Sequence, residues 1–434
     1  MALTAQANAD IVKSTMEKVR PTFKYLTEDE EYASQLVKRA SEKHRIAKTT
    51  NSADFRAPFI WQQAGAPGIF SSAGGALGTG FGYKTDHFVA TCKEFRVAVS
   101  VNQDVLSATK AQKLKSALKE NLKQAGRTYR RAEDAMWHNV TGTQGMLALS
   151  TGLSTLTYTC DTNFGINLVE VGWPVEVFDS TLTTQKTATL SAADTLPTIT
   201  GATFSKTNRT LTISSQASFD SAAAAGDYIG FQGVGSTPAS QLGLYAFNTT
   251  ATTGTLLGVN RATISDINCN FVDGSEGLSI ELGYILKSQR RQRRGRAKLG
   301  KCVGFAHDAQ MLAIQQLGHN IENLDRKAGD SMIDPAFKYA DTLQFCGDPV
   351  HLDLHQNRSR IDFTVLDNWA RIYHEDIDYY KRPDGGSYWF EGRNSSGGVT
   401  AAWHFYLWSY YNMLDCSGGS DGGFIYNLPI VSGF

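Results

Sequence analysis

Several features are scarce in this chain, and each scarcity excludes a class of protein. No stretch reaches the ~18 consecutive apolar residues that a helical membrane span needs. The nearest, VTAAWHFYLWSYYNML (399–414), is broken by Thr400, His404, Ser409 and Asn412. The opening MALTAQANADIVKSTMEKVR is polar and of mixed charge, without an apolar block of leader length. The chain is therefore expected to start out in a cytoplasm-like compartment, with no membrane partner. The cysteines (Cys92, Cys160, Cys269, Cys302, Cys346 and Cys416) never form a CxxC pair. They read as reduced small hydrophobes, not as zinc ligands or a redox couple. Excess charge is absent too: Lys+Arg and Asp+Glu number 42 each. A protein devoted to gripping phosphates would be net basic, so any nucleic-acid contact is expected to be local.

Catalytic signatures are equally scarce. The chain has no nucleophile elbow, HExxH or P-loop. GTGFG (78–82) is followed by a strand pattern, so no helix N-terminus stands ready for an anion. His351 and His355 lie four apart, but Val350, Leu352 and Leu354 alternate with polar residues. That alternation makes a strand, on which positions four apart sit roughly 13 Å from each other, too far for one metal ion. YHEDIDYY (373–380) reads as a solvated strand or loop. No catalytic residue, metal ligand or cofactor is assigned, and an enzyme is not expected.

What is present is an extended layout. The 434 residues, 41% of them hydrophobic, suit a folded chain of two or three units. Residues 1–55 read as a charged helical arm that lies on a neighbour. Residues 56–105 read as a long β-hairpin with a glycine-rich tip, returning through the period-two positions Phe95, Val97, Val99 and Val101. The clearest element lies in 107–140: Leu114, Leu118, Leu122, Ala125, Tyr129, Ala132 and Met136 form one helical stripe. Ser107 or Thr109 would cap this helix, and Gly142 would end it. Such a rod is roughly 45 Å long. Residues 150–280 are rich in Thr, Ser, Ala and Gly and read as an all-β insertion, expected on an outer surface. Helix, strand, helix and further strands follow, at about 276–295, 301–306, 307–319, 348–355, 359–367 and 422–431.

The order of these parts carries a resemblance. The charged arm and glycine-rich hairpin lead to a helix ending RRAEDAMWHNVTGTQGMLALSTGL. After the insertion come LSIELGYILKSQRRQRRGRAKLGKCVGFAHDAQMLAIQQLG, LQFCGDPVHLDLH and the closing GGFIYNLPI. This layout resembles the major capsid proteins of tailed bacteriophages, whose fold is shared with herpesvirus capsid floors. The resemblance implies an α+β fold with an N-arm (1–55), an E-loop (56–105), a P-domain with its spine helix (106–149) and an all-β insertion domain (150–280). It further implies an A-domain (281–350), P-domain strands (351–398) and a C-terminal part of the A-domain (399–434). It implies a structural role: self-assembly as hexamers and pentamers into the icosahedral shell of a virion. The packaged double-stranded DNA would be held by non-specific electrostatics, with scaffolding, portal or decoration proteins as further partners. The rival from another class is a β-rich decoration or attachment protein whose 150–280 segment binds a receptor or glycan.

Three sets of residues follow as contact candidates. Phe59, Ile60 and Trp61 form an apolar hairpin base suited to clamping a neighbouring subunit. Arg290, Arg291, Arg293 and Arg294 lie in a run of eight cations between Lys287 and Lys301, at a helix C-terminus that favours positive charge. They are expected to meet a neighbour's Glu322, Asp325 and Asp330, the alternative being packaged DNA. Lys113, Lys119, Lys123, Arg127, Arg130 and Arg131 on the long helix are candidates to face DNA.

Overall fold

The computed structural model describes residues 16, 45–47, 54–62, 82–102, 111–138, 147–148, 157–160, 171–181, 185–186, 198–204, 209–213, 224–231, 243–293, 302–325, 342–353, 355–381, 389–391 and 402–430. Four strands come first: β1 (Arg45–Ala47), β2 (Asp54–Gln62), β3 (Lys84–Thr91) and β4 (Lys93–Asn102). Helix α1 (Ala111–Trp137) follows, about 40 Å long at 1.5 Å per residue. Short strands then recur: β5 (Leu147–Ala148), β6 (Thr157–Cys160), β7 (Val175–Phe178), β8 (Ile199–Phe204), β9 (Arg209–Ile213) and β10 (Tyr228–Phe231). The one-turn helix α2 (Leu244–Phe247) precedes β11 (Thr255–Leu256), β12 (Val259–Asn260) and β13 (Asn270–Asp273). The remainder is α3 (Ile280–Arg293), β14 (Cys302–Ala306), α4 (Asp308–Asp325), β15 (Thr342–Phe345), β16 (Asp348–Leu352), β17 (Ile361–Val365), β18 (Trp369–Tyr379), β19 (Trp389–Glu391), β20 (Ala402–Asp415) and β21 (Gly423–Tyr426).

Two sheets organise the body. In the long-strand sheet, β20 pairs antiparallel with β18, β19 and β4, and β1 joins parallel to β18. Helix α1 lies on this sheet because its stripe matches the sheet's apolar face. Leu122, Ala125 and Tyr129 bury against Trp403, Phe405 and Leu407, with Phe95, Val97 and Val99 of β4 beside them. The Tyr129 and Ser409 hydroxyls hydrogen-bond at the centre of that contact. Met16 is buried in the same cluster, so at this residue the N-terminal arm packs on its own chain. Caps at Ser107, Thr109 or Gly142 lie outside the described residues.

The mixed sheet runs β13-β21-β17-β14-β16-β15. Its apolar layer joins Cys302, Ala306, Val350, Phe363 and Ile425 to Leu286 of α3 and to Met311 and Ile314 of α4. Between the sheets a third cluster collects Phe55, Ala57 and Phe59 of β2 and Phe88 and Ala90 of β3. Trp137, Phe247, Ile267, Phe305, Trp369 and Met413 belong to it as well.

The expected domain boundaries shift in three places. The segment 150–280 is not one insertion. Strands β5, β7 and β10 form one small antiparallel sheet and β6, β9 and β8 another, but β13 joins the mixed sheet, parallel to β21. Leu244, Phe247, Val259, Ile264 and Ile267 fill the central cluster. The chain leaves the body after α1 and returns at Gly243, where a side chain would collide with the Trp137 carbonyl. Within 351–398, β17 belongs to the mixed sheet and β18 to the long-strand sheet. The segment 399–434 divides likewise, since β20 carries the long-strand sheet and β21 the mixed one.

Candidate functional site

The hairpin is built by strict alternation. Phe55, Ala57 and Phe59 are buried while Arg56 and Pro58 are exposed, the period-two pattern of a strand with one covered face. In register, Arg56 faces Val89 and Pro58 faces His87 across the β2–β3 pair. Phe59 stacks on Phe88 with ring centroids 4.4 Å apart. Trp61 is half-buried, and the Lys84 ammonium lies 5.0 Å from its ring. At the far end Tyr83 is 64% exposed. Residues 63–81, the glycine-rich tip, lie outside the described residues.

Helix α3 presents two faces. Leu282 and Leu286 turn to the mixed sheet, whereas Tyr284 and Ile285 are 61% and 46% exposed. Arg290, one turn beyond Leu286, follows the inner face. Its Nε donates to the Asp421 carbonyl at 2.8 Å, and Nη1 lies 3.5 Å from Asp348 Oδ2. Lys287 Nζ donates to the Cys346 carbonyl at 2.8 Å and lies 3.6 Å from Asp348. Burial raises the nearby Cys302 thiol to about 12, with Arg290 partly opposing the rise. Cys302 is therefore a neutral thiol in the sheet layer.

At the C-terminal end of α1 a buried polar group joins the helix to the loop after β16. His138 Nε2 is 3.0 Å from Asp353 Oδ2 and 3.9 Å from Asp134 Oδ2. His355 Nδ1 is 2.7 Å from Asp134 Oδ2, and the His355 backbone N–H donates to Asp353 Oδ1 at 2.9 Å. Burial opposes protonation of His138, but the Asp353 and Asp134 carboxylates together outweigh it and lift its pKa to about 8. Nearby, Arg360 grips Asp362 with two donors at 2.6 and 2.7 Å, while Asn248 and Gln356 donate to the same carboxylate. Every buried carboxylate oxygen of Asp362 thereby has a donor, as a charge away from water requires.

No family model and no curated protein matches the chain. Solved structures do. The chain is similar to the capsid asymmetric unit of cyanophage A-1(L), at 11% identity and a TM-score of 0.50, over 92% of this chain and 93% of that one. The chain has a phage capsid fold. Likenesses with lower TM-scores include the capsid of a native GTA particle (0.41, 11% identity, 90% of each chain). Mycobacterium phage Bobi is another (0.40, 9% identity, 89% of each chain).

Within this capsid fold the proposed contact residues separate. Phe59 faces the interior of its own chain, which corrects its assignment as a clamp: the buried face of β2 carries the aromatic that core packing needs. Ile60 lies in β2 opposite Thr85, and Trp61 keeps a partly open face. Arg290 is corrected as well. It is 2% exposed and engaged within the subunit, because the helical turn carries it inward along the line of Leu282 and Leu286. Arg291 is exposed, Arg293 closes α3, and Arg294 lies outside the described residues. On α1, Lys119 and Arg127 are exposed and Lys123 is half-buried. Arg130 is 5% exposed and so is removed from the DNA-facing candidates, since it sits one turn before Asp134 on the buried end of the helix. Lys113 and Arg131 are placed on α1 by their backbone.

Two features of the structure carry no clear mark in the sequence. One is the exposed pair Tyr284 and Ile285 on α3. The pair Asp134 and His138 spans one helical turn beside the buried Met136 and Trp137, a visible i, i+4 signal. Its partners were hidden because the strand containing His351 ends at Leu352, which frees His355 to turn back toward α1.

Proposed function

We propose that the chain is the major capsid protein of a tailed phage, a structural subunit that assembles with copies of itself into an icosahedral shell around double-stranded DNA. The observation that carries this reading is the likeness, over nearly the whole of both chains, to a phage capsid subunit. In this reading the β2–β3 hairpin is the E-loop, α1 the spine helix of the P-domain, and the mixed sheet with α3 and α4 the A-domain. Hexamers and pentamers form through the hairpin and through the outer face of α3, where Tyr284, Ile285 and Arg291 are exposed. A stable contact needs about 800 Å² from each partner, and exposed aromatic and aliphatic side chains suit its centre. DNA contact is sequence-blind and falls to basic residues such as Lys119, Lys123 and Arg127. Scaffolding and portal proteins are further partners, and the mature location is the virion.

Negative-stain microscopy of the purified full chain tests this reading. Closed shells tens of nanometres across are expected. A monomer or small oligomer under every assembly condition tried would favour the receptor- or glycan-binding reading and overturn this one.

A further inference from the structure

We infer that Asp134, His138 and Asp353 form a binding site for a divalent transition metal of the zinc class, stapling the end of α1 to the loop that follows β16. One ligand atom from each of these residues lies within 4.8 Å of the others. The side chains of Asp134 and His138 are 0% exposed and that of Asp353 is 1% exposed. The donor set, one imidazole and two carboxylates, is one that zinc accepts, whereas calcium and magnesium favour all-oxygen cages.

The distances fit an ion at the centre. Ligands about 2.0–2.2 Å from a tetrahedral zinc stand roughly 3.3 Å from each other. The contacts from His138 Nε2, 3.0 Å to Asp353 and 3.9 Å to Asp134, straddle that value. His138 supplies the independent observation. Its ring is completely buried, Nδ1 has no hydrogen-bond partner among the described residues, and Nε2 is 3.0 Å from the Asp353 carboxylate. An imidazole nitrogen and two carboxylates that converge on one buried point are arranged to hold a cation between them. The surroundings hold the ligands in place: the His355 ring contacts Asp134 Oδ2, and the His355 backbone N–H fixes Asp353 Oδ1. Such outer partners orient ligating carboxylates, and their loss typically weakens metal binding 10–100-fold. The three ligands leave a fourth position for a water.

The test uses the full chain as purified. It is unfolded with a chelator, refolded with one equivalent of Co²⁺ or Zn²⁺, and desalted. Elemental analysis should find about one metal per chain, and the cobalt form should show the intense visible absorption of tetrahedral coordination. His138→Gln and Asp353→Asn should each abolish both signals, and His355→Gln should weaken binding 10–100-fold. Refolded wild-type protein without metal would overturn the inference in favour of a proton held by His138. So would a His138→Gln variant that binds as much metal as wild type, or a cobalt spectrum of the weak octahedral type. If the variants fail to fold, the stoichiometry and cobalt spectrum of the wild type still decide.

Discussion

Arg290 and Arg291 are adjacent in the chain, but the 100° turn between them on α3 puts one against Asp348 and Asp421 and leaves the other in water. Replacing Arg290 with Ala strips Asp348 of its nearest guanidinium and leaves the Asp421 carbonyl without its donor. Breaking a buried charged contact of this kind costs about 2–4 kcal/mol. Arg291→Gln should stay within about 0.5 kcal/mol of wild type, as exposed substitutions usually do. Urea unfolding of the dissociated subunit measures both. An Arg290→Ala subunit as stable as wild type would mean that the residue serves assembly and not the fold. The inward turn was legible in principle, since Leu282, Leu286 and Arg290 lie at i, i+4 and i+8. A cluster of cations with no carboxylate among them conceals that phase, because Arg290 and Arg291 are chemically alike while only Arg290 is buried. The metal-ligand cluster was illegible for a different reason. Asp353 and His355 meet α1 only through tertiary packing, more than 200 residues away in sequence, and one sequence has no term for that distance.

The elements were read more successfully than their allegiances. The stripe of α1 and the alternation of β4 followed from period, so both appear where expected. The end of the insertion was misplaced because strand propensity in 255–271 looks the same whether a strand serves a satellite sheet or the main one. What separates them is burial: Ile264 and Ile267 join the central cluster, whereas Val175, Val177 and Ile229 join none of the main-body clusters, among the described residues. The close approach of Gly243 to Trp137 makes a direct prediction. Replacing 139–242 with a short glycine-rich linker should leave a soluble subunit that melts cooperatively, since the two ends are already neighbours and a short loop closes at little entropic cost. Circular dichroism melting checks this, and an aggregated or non-cooperative product would show that the inserted sheets support the body. Conversely, deleting 65–82 removes the hairpin tip but none of Phe55, Ala57, Phe59 or Phe88. The subunit should keep its stability and lose closed shells by microscopy; normal shells would remove the hairpin from the assembly contact.

At the scale of the whole molecule, zero net charge lets many copies approach without long-range repulsion. Under the proposed capsid role, assembly then depends on local patches. The outer face of α3 is one: it carries Tyr284, Ile285 and Arg291, with Arg293 at its end. The C-terminal part of α4 carries Glu322 and Asp325, with Asp330 just beyond it in sequence. Pairing of the cations of one subunit with the acids of the next would be screened by salt, whose Debye length falls from about 8 Å at 0.15 M to about 3 Å at 1 M. The apolar pair would persist, because burial of each side chain contributes about 1.5–3 kcal/mol independently of ionic strength. The test separates these terms and leaves Arg290 untouched. Changing Arg291, Arg293 and Arg294 to Gln should reduce the yield of empty shells severalfold at low salt, and 1 M salt should reduce wild type to the same level. Tyr284→Ser with Ile285→Ser should reduce yield at every salt concentration, with the subunit's unfolding midpoint unchanged. If the arginine variant forms empty shells normally but retains less DNA, the cations face the genome instead of a neighbouring subunit. If the serine variant assembles as wild type does, the exposed face of α3 looks into solvent in the shell.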